Sequence, residues 1–137
     1  MTKERYLKYR KEEIMEVKNL YESVMTFASQ GLFYRTGRIM GGRIARMCNN
    51  DMGCMLKMLM DEGWGTEIRF EGKRIYVKDS IEAFEGEKKE EPTCHMLRGA
   101  LTEIYTAATG KKAYCHEVEC ISSGADKCVF EFDEEVL

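Results

Sequence analysis

Three cysteines in the last third of this 137-residue chain constrain its fold more than any other feature. Cys94 follows Pro92-Thr93 and precedes an apolar stripe at helical spacing. Cys120 and Cys128 flank the seven-residue segment "ISSGADK", which has the composition of a turn. If the two pair across a hairpin, Val118 falls opposite Phe130 and both thiols lie on one face. Cys94 at a helix start can supply a third sulfur, and the helix N-terminus favours a thiolate there. Such thiols can tie a helix end to a hairpin through zinc, which prefers sulfur and nitrogen ligands and tolerates oxygen. Buried, unligated cysteines are the competing reading, because free cysteine is commonly buried.

Strand alternation bears on the fourth ligand. On a regular strand Cys120 shares its face with Val118 and His116, while Glu117 points away. His116 is therefore the candidate of a regular strand. Glu117 can join only if a bulge or bend lies between it and Cys120.

The rest of the chain predicts the elements that carry this knot. Pro92 is the one proline, so helices should run long. Ile14, Val17, Leu20, Tyr21 and Val24 predict a first helix over 6–30, with Gly31 as its stop. A second helix spans 32–47. Its Gly37 and Gly41 cost helix stability, so tight helix packing, a ligand or a dimer partner should compensate. Asp51 caps a third helix over 52–62, and Gly63 ends it.

A hairpin follows, with Gly72-Lys73 as its loop. Phe70 then pairs with Ile75 and Ile68 with Val77 on one face. Glu71 pairs with Arg74 and Glu67 with Lys78 on the other. The charged segment 82–91 reads as an exposed loop. Thr93 then caps a fourth helix, whose stripe is Met96, Leu97, Ala100, Leu101, Ile104 and Ala108, and which Gly110 ends. A second hairpin, 112–121 and 128–133, closes the chain.

This order predicts an α+β fold: a mostly antiparallel sheet of two hairpins, covered by the N-terminal helices and one further helix. We expect one domain over 1–137. Residues 1–62 form its helical part, and 64–137 form a hairpin–helix–hairpin part carrying the metal knot.

Several function classes are disfavoured. No apolar run approaches a membrane span. The N-terminal stretch is too charged for a signal peptide, so a cytoplasmic protein is expected. Six cysteines in that compartment argue for thiols or metal and against disulfides. A net charge of −3 makes no case for nucleic acid. Arg35, Arg38, Arg43 and Arg46 would spread over more than one helix face. No nicotinamide, flavin, P-loop, nucleophile-elbow or metalloprotease motif occurs. Phe33, Tyr34, Met40, Met55 and Trp64 are candidates to wall a pocket for a small apolar ligand, with ordinary core packing as the competing reading.

The stretch "CHMLRGALTEIYTAATGKKAYCHEVECISSGADKCVFEF" resembles the 4-vinyl-reductase-like domain family. That family includes stand-alone archaeal proteins and the sensor domains of phenol-responsive bacterial transcription activators. In the phenol-sensor branch, zinc is held by a Cys at a helix start, a Glu-x-x-Cys, and a Cys after seven further residues. The resemblance thus implies a structural zinc on Cys94, Glu117, Cys120 and Cys128, placing Glu117 ahead of His116. Four protein ligands close a zinc ion, which argues against catalysis there. Arg98 and Lys127 could offset the negative charge of such a centre.

The resemblance further implies a sensory or binding module for an apolar, aromatic or tetrapyrrole-like small molecule. A homodimer and an output partner acting in trans are expected with it. Two alternatives are a reductase or tetrapyrrole-handling protein acting on a vinyl group, and a structural adaptor related to vesicle-tethering subunits. Heme is not expected, because His95 and His116 both adjoin presumed metal ligands.

Overall fold

The first hairpin forms with the register expected of it. Strands β1 (Glu67–Glu71) and β2 (Arg74–Lys78) flank Gly72-Lys73, with Gly72 at φ 62. Glycine takes that left-handed position without steric cost. Phe70 lies opposite Ile75 and Ile68 opposite Val77. Of the two charge pairs, Glu67 and Lys78 meet at 3.0 Å. Arg74 instead reaches Glu131 on another strand at 2.7 Å, and Glu71 takes Arg69 at 3.1 Å.

A second hairpin pairs β3 (Ala113–Glu119) with β4 (Cys128–Glu134). Strands β2 and β4 lie side by side, so both hairpins form one antiparallel sheet in the order β1-β2-β4-β3. The computed structural model describes residues 4–134. The ends of the expected 1–137 domain, residues 1–3 and 135–137, lie outside the described residues.

Four helices cover this sheet among the described residues, as an α+β fold requires: α1 (Lys11–Met25), α2 (Phe27–Met47), α3 (Met52–Glu62) and α4 (His95–Thr109). Helix α4 packs against both β3 and α2. Glycines let α2 and α4 approach backbone to backbone. A Cβ on Gly37 would sit 1.8 Å from the Met96 carbonyl oxygen, and one on Gly41 2.5 Å from that of Ala100. Gly99 of α4 reciprocates, with a Cβ site 2.0 Å from the Tyr34 carbonyl oxygen. Helix packing is thus what compensates the paired glycines of α2. Leu97, Leu101, Ile104, Ile75, Val77, Phe130 and Phe132 fill the core.

Two expectations need correction. The first helix does not run to Gln30 with Gly31 as its stop. The chain breaks at Thr26 (φ 51, ψ −124), and Gly31 lies inside α2. A helix through Gly31 keeps Ser29, Phe33, Gly37, Gly41 and Ala45 in one buried row against the rest of the molecule. That row outweighs a glycine cost of roughly 1 kcal/mol. The Thr26 carbonyl is secured by Ser29, whose N–H and hydroxyl both donate to it, at 3.2 and 2.7 Å.

The second correction concerns the cysteines. Cys48 and Cys54 form a disulfide, their Cα atoms 5.6 Å apart. Asn49 and Asn50 both adopt left-handed conformations (φ 50 and 63), which folds the α2–α3 junction tightly enough to bring the two residues together. Asp51 and Gly63 bound α3 as expected. The Asp51 carboxylate accepts the Cys54 N–H at 2.9 Å, and Gly63 sits at φ 92.

Candidate metal centre

The four donors come from three places in the fold. Cys94 is the cap residue of α4, Cys120 follows β3, and Cys128 opens β4 beside Val77. All three cysteines are buried. Glu117 joins them through a bulge. Glu117 lies opposite Phe130 and Glu119 opposite Val129, so Val118 is the extra residue. The expected pairing of Val118 with Phe130 is therefore replaced. The bulge pushes Val118 toward solvent at 47% exposure and leaves Glu117 on the side of the cysteines. His116 is exposed and makes an ion pair with Asp133 at 3.3 Å.

One ligand atom from each of Cys94, Glu117, Cys120 and Cys128 lies within 4.8 Å of every other. The Cys94 and Cys128 sulfurs are 3.7 Å apart. Two sulfurs at tetrahedral corners around a metal with bonds of about 2.3 Å would be about 3.8 Å apart. One oxygen of Glu117 accepts the Cys94 N–H at 3.0 Å. Its other oxygen is buried without a hydrogen-bond partner among the described residues. An orphaned carboxylate oxygen beside three clustered sulfurs fits a cation, and this cluster can hold a metal ion.

Outer groups orient the sulfurs. The Ile121 N–H donates to Cys128 at 3.4 Å, and the hydroxyls of Ser80 and Thr93 lie 3.2 Å from Cys94 and 3.6 Å from Cys120. Burial pushes the Cys94 thiol well up. Hydrogen bonds from Cys128 and Cys94 hold Cys120 far below the usual thiol range, and the same bond drives Cys128 up. The cluster thus places one thiolate among thiol donors. Burial, then the Cys120 charge, pushes Glu117 up to about 8. Cys115, outside the cluster, is pushed up to about 12 by burial. His95 is lowered to about 4 by burial, Lys18 and Arg98. Arg98 lies over the Tyr34 ring at 4.3 Å and Lys127 over Tyr76 at 5.6 Å.

Sequence reasoning misses the residue that seats Cys94. Glu82 opens the charged run that reads as an exposed loop, yet its side chain is fully buried and pairs with Lys18 of α1 at 2.7 Å. Its carboxylate also accepts the N–H groups of Met96 at 3.0 Å and Leu97 at 2.6 Å. Lys18 donates in addition to the Thr93 carbonyl. Two carboxylates, Glu82 and Glu117, therefore satisfy the first N–H groups of α4. Thr93 does not cap the helix as expected. Its hydroxyl donates to the Glu82 carbonyl and to Ser122, each at 3.0 Å. A glutamate eleven residues before Thr93, inside a charged run, leaves no local signal of this role.

Phe33, Met55 and Trp64 are buried in packed surroundings, and Tyr34 and Met40 are half-buried. Two clefts open elsewhere. One of about 470 Å³ lies between α1 and segment 87–93, with Lys18, Glu82 and His95 on its wall. The other, about 320 Å³, is lined by His95, Arg98, Cys115 and Glu117 among others. None of the five candidate pocket residues lines either cleft. No helix among the described residues is long and apolar enough to cross a membrane.

Comparison with known proteins bears out the resemblance to 4-vinyl-reductase-like domains. Residues 74–134, which hold three of the four donors and lie just around the fourth at the head of α4, match the model of that domain. A stretch of 46 residues is 46% identical to an uncharacterized protein of Methanocaldococcus jannaschii. That alignment covers 34% of this chain and 28% of the relative. Among solved structures, the phenol-responsive sensory domain of the transcription activator PoxR, crystallised with phenol, has a similar fold (TM-score 0.74, 19% identity). The likeness covers 94% of this chain and 76% of that one. A vinyl-4-reductase family protein from Methanocaldococcus jannaschii is also similar (TM-score 0.65, 19% identity), over 91% of this chain and 78% of the other.

Proposed function

We propose that this chain is a small-molecule sensory module, cross-linked by structural zinc where α4 meets the second hairpin. One observation carries the reading. A four-donor cluster ties α4 to that hairpin, within a fold like that of a phenol-responsive sensory domain. Cys94, Glu117, Cys120 and Cys128 would hold the ion. Three sulfurs and one oxygen suit tetrahedral zinc, and four protein ligands leave no position for water. The ion would supply cross-linking there, with no Lewis-acid role.

The ligand is a small apolar or aromatic molecule, taken up between helices and sheet beside Phe33, Tyr34, Met40, Met55 and Trp64. Because Met55 and Trp64 are closely packed, its entry would require these side chains to part. Ligand binding shifts helix packing only through different affinities for the two arrangements. In this reading a second copy covers Val17, Leu20, Val24 and Phe27, which α1 and the start of α2 leave exposed. The module works in the cytoplasm, and a separate protein reads its state.

The test has two arms. Protein purified without a metal-affinity tag should carry a single zinc per chain, and Cys120→Ala should lose both the zinc and thermal stability. Zinc-loaded protein should then show a saturable change in the fluorescence of Trp64 on titration with phenol and alkylphenols. Well-folded protein without metal refutes the zinc buttress. A flat titration across the whole panel refutes the sensory reading for aromatic ligands.

A further inference from the structure

Cys48 and Cys54 lie apart from the metal cluster and have a chemistry of their own. Cys48 caps the end of α2 and is 5% exposed, whereas Cys54, in the first turn of α3, faces solvent. Every residue from Asn49 to Asp51 is exposed, and so is Gly53, which has no side chain to shield the neighbouring sulfur. One sulfur of this disulfide is therefore open to an incoming thiolate and the other is sheltered. The remaining cysteines, Cys94, Cys115, Cys120 and Cys128, are all buried.

The junction keeps its shape by bonds other than the disulfide. The Asn50 N–H donates to the Ala45 carbonyl at 3.0 Å, and the Asp51 N–H to that of Cys48 at 3.1 Å. The Asp51 side chain caps α3 through the Cys54 N–H at 2.9 Å. Met55, Leu56 and Leu59 anchor α3 in the core. The Cα separation of 5.6 Å is the ordinary span for a disulfide, so closing the bond requires no backbone movement. Opening and closing the bond therefore leave the fold in place.

We propose that Cys48 and Cys54 form a reversible thiol–disulfide exchange site, reduced by dithiols through attack on the exposed Cys54 sulfur. A reductant thiolate bonds to Cys54 Sγ. The Cys48–Cys54 bond breaks, and its electron pair leaves on Cys48 Sγ, which takes up a proton. The second thiol of the reductant, deprotonated, then attacks its partner sulfur in the mixed disulfide. Cys54 leaves with that electron pair and is protonated. The chain gains two electrons and two protons, and the dithiol becomes a cyclic disulfide. The site goes beyond the zinc and ligand readings and does not depend on either. It makes the α2–α3 joint sensitive to thiol redox state.

Dithiothreitol is the probe. The protein as purified, with its metal, is equilibrated across ratios of reduced to oxidised dithiothreitol, alkylated, and mapped by peptide mass spectrometry. Cys48 and Cys54 should gain label together in one reversible two-electron transition in the folded protein. Label that appears only in denaturant, or a pair that never closes again on return to oxidised reagent, overturns the proposal. A second measurement tests the point of attack. With oxidised glutathione, Cys48→Ser should form a mixed disulfide at Cys54 at least tenfold faster than Cys54→Ser forms one at Cys48. Equal rates would overturn the assignment of Cys54.

Discussion

Replacing Glu82 by Gln should be among the most damaging conservative changes in this chain. The Glu82 side chain is fully buried, that of Lys18 is 7% exposed, and they meet at 2.7 Å. Glutamine keeps the shape and removes the charge. Its amide N–H₂ must face either the Lys18 ammonium or the Met96 and Leu97 N–H groups, a donor against a donor. Lys18 is left buried with the Thr93 carbonyl. Removing one partner of a buried ion pair costs about 3–5 kcal/mol, and that is the loss expected for Glu82→Gln. Lys18→Met should cost less, about 1–3 kcal/mol, because the carboxylate keeps its two N–H bonds at the α4 N-terminus. The double variant should cost less than the sum of the singles by about 1–3 kcal/mol. Urea denaturation with matched m-values measures all three. Equal single costs, or strict additivity, would refute the claim that α1 is held by this one buried pair. The change should also weaken metal binding about 10–100-fold, because Glu82 positions the turn that carries Cys94.

Three further outcomes are expected. Glu117→Gln should weaken zinc binding by at least about 10-fold while His116→Ala leaves it unchanged, read by competition with a chromogenic chelator. Chelator-treated protein should lose stability between pH 4.5 and about 8, read as the urea midpoint against pH. In that window the folded Glu117 keeps a proton that the unfolded chain has released, so the folded state binds more protons and stability falls as pH rises. Zinc-loaded protein should not show the decline, and a rise across the window would contradict the burial of Glu117. Gly31→Ala should stabilise the fold by about 0.4–1 kcal/mol, since nothing lies within 4 Å of the added carbon. Gly99→Ala, aimed at a backbone oxygen 2.0 Å away, should destabilise it by at least about 1–3 kcal/mol. Thermal unfolding compares the two, and similar effects would contradict the close α2–α4 contact.

Local chemistry was legible wherever a few adjacent residues decide the outcome. Gly72 announced a turn and so set the β1–β2 register, because a two-residue loop leaves one pairing open. Asp51 and Gly63 marked the ends of α3 by capping and by left-handed backbone. The spacing of Cys94, Cys120 and Cys128 pointed to a cluster, and the cluster is there. Alternation also stated the condition for Glu117 to join it. Whether the strand bulges at Val118 was beyond alternation, because a bulge depends on how β3 fits β4 and the turn after it.

What only the tertiary structure decided involves partners far apart in the chain. Glu82 reads as one charge in a charged run until Lys18, 64 residues earlier, and the N-terminus of α4 are brought around it. Gly31 reads as a helix stop until the buried row of α2 requires the helix to continue, which moves the break to Thr26. Composition argued for free thiols, and the fold of the α2–α3 junction joined Cys48 to Cys54. By itself the sequence determined the turns, caps, apolar stripes and donor types, because steric and hydrogen-bond preferences act within a few residues. Which buried charge is paired, which glycine is spanned and which strand bulges were settled by packing, since burial exacts its desolvation cost only once distant elements meet.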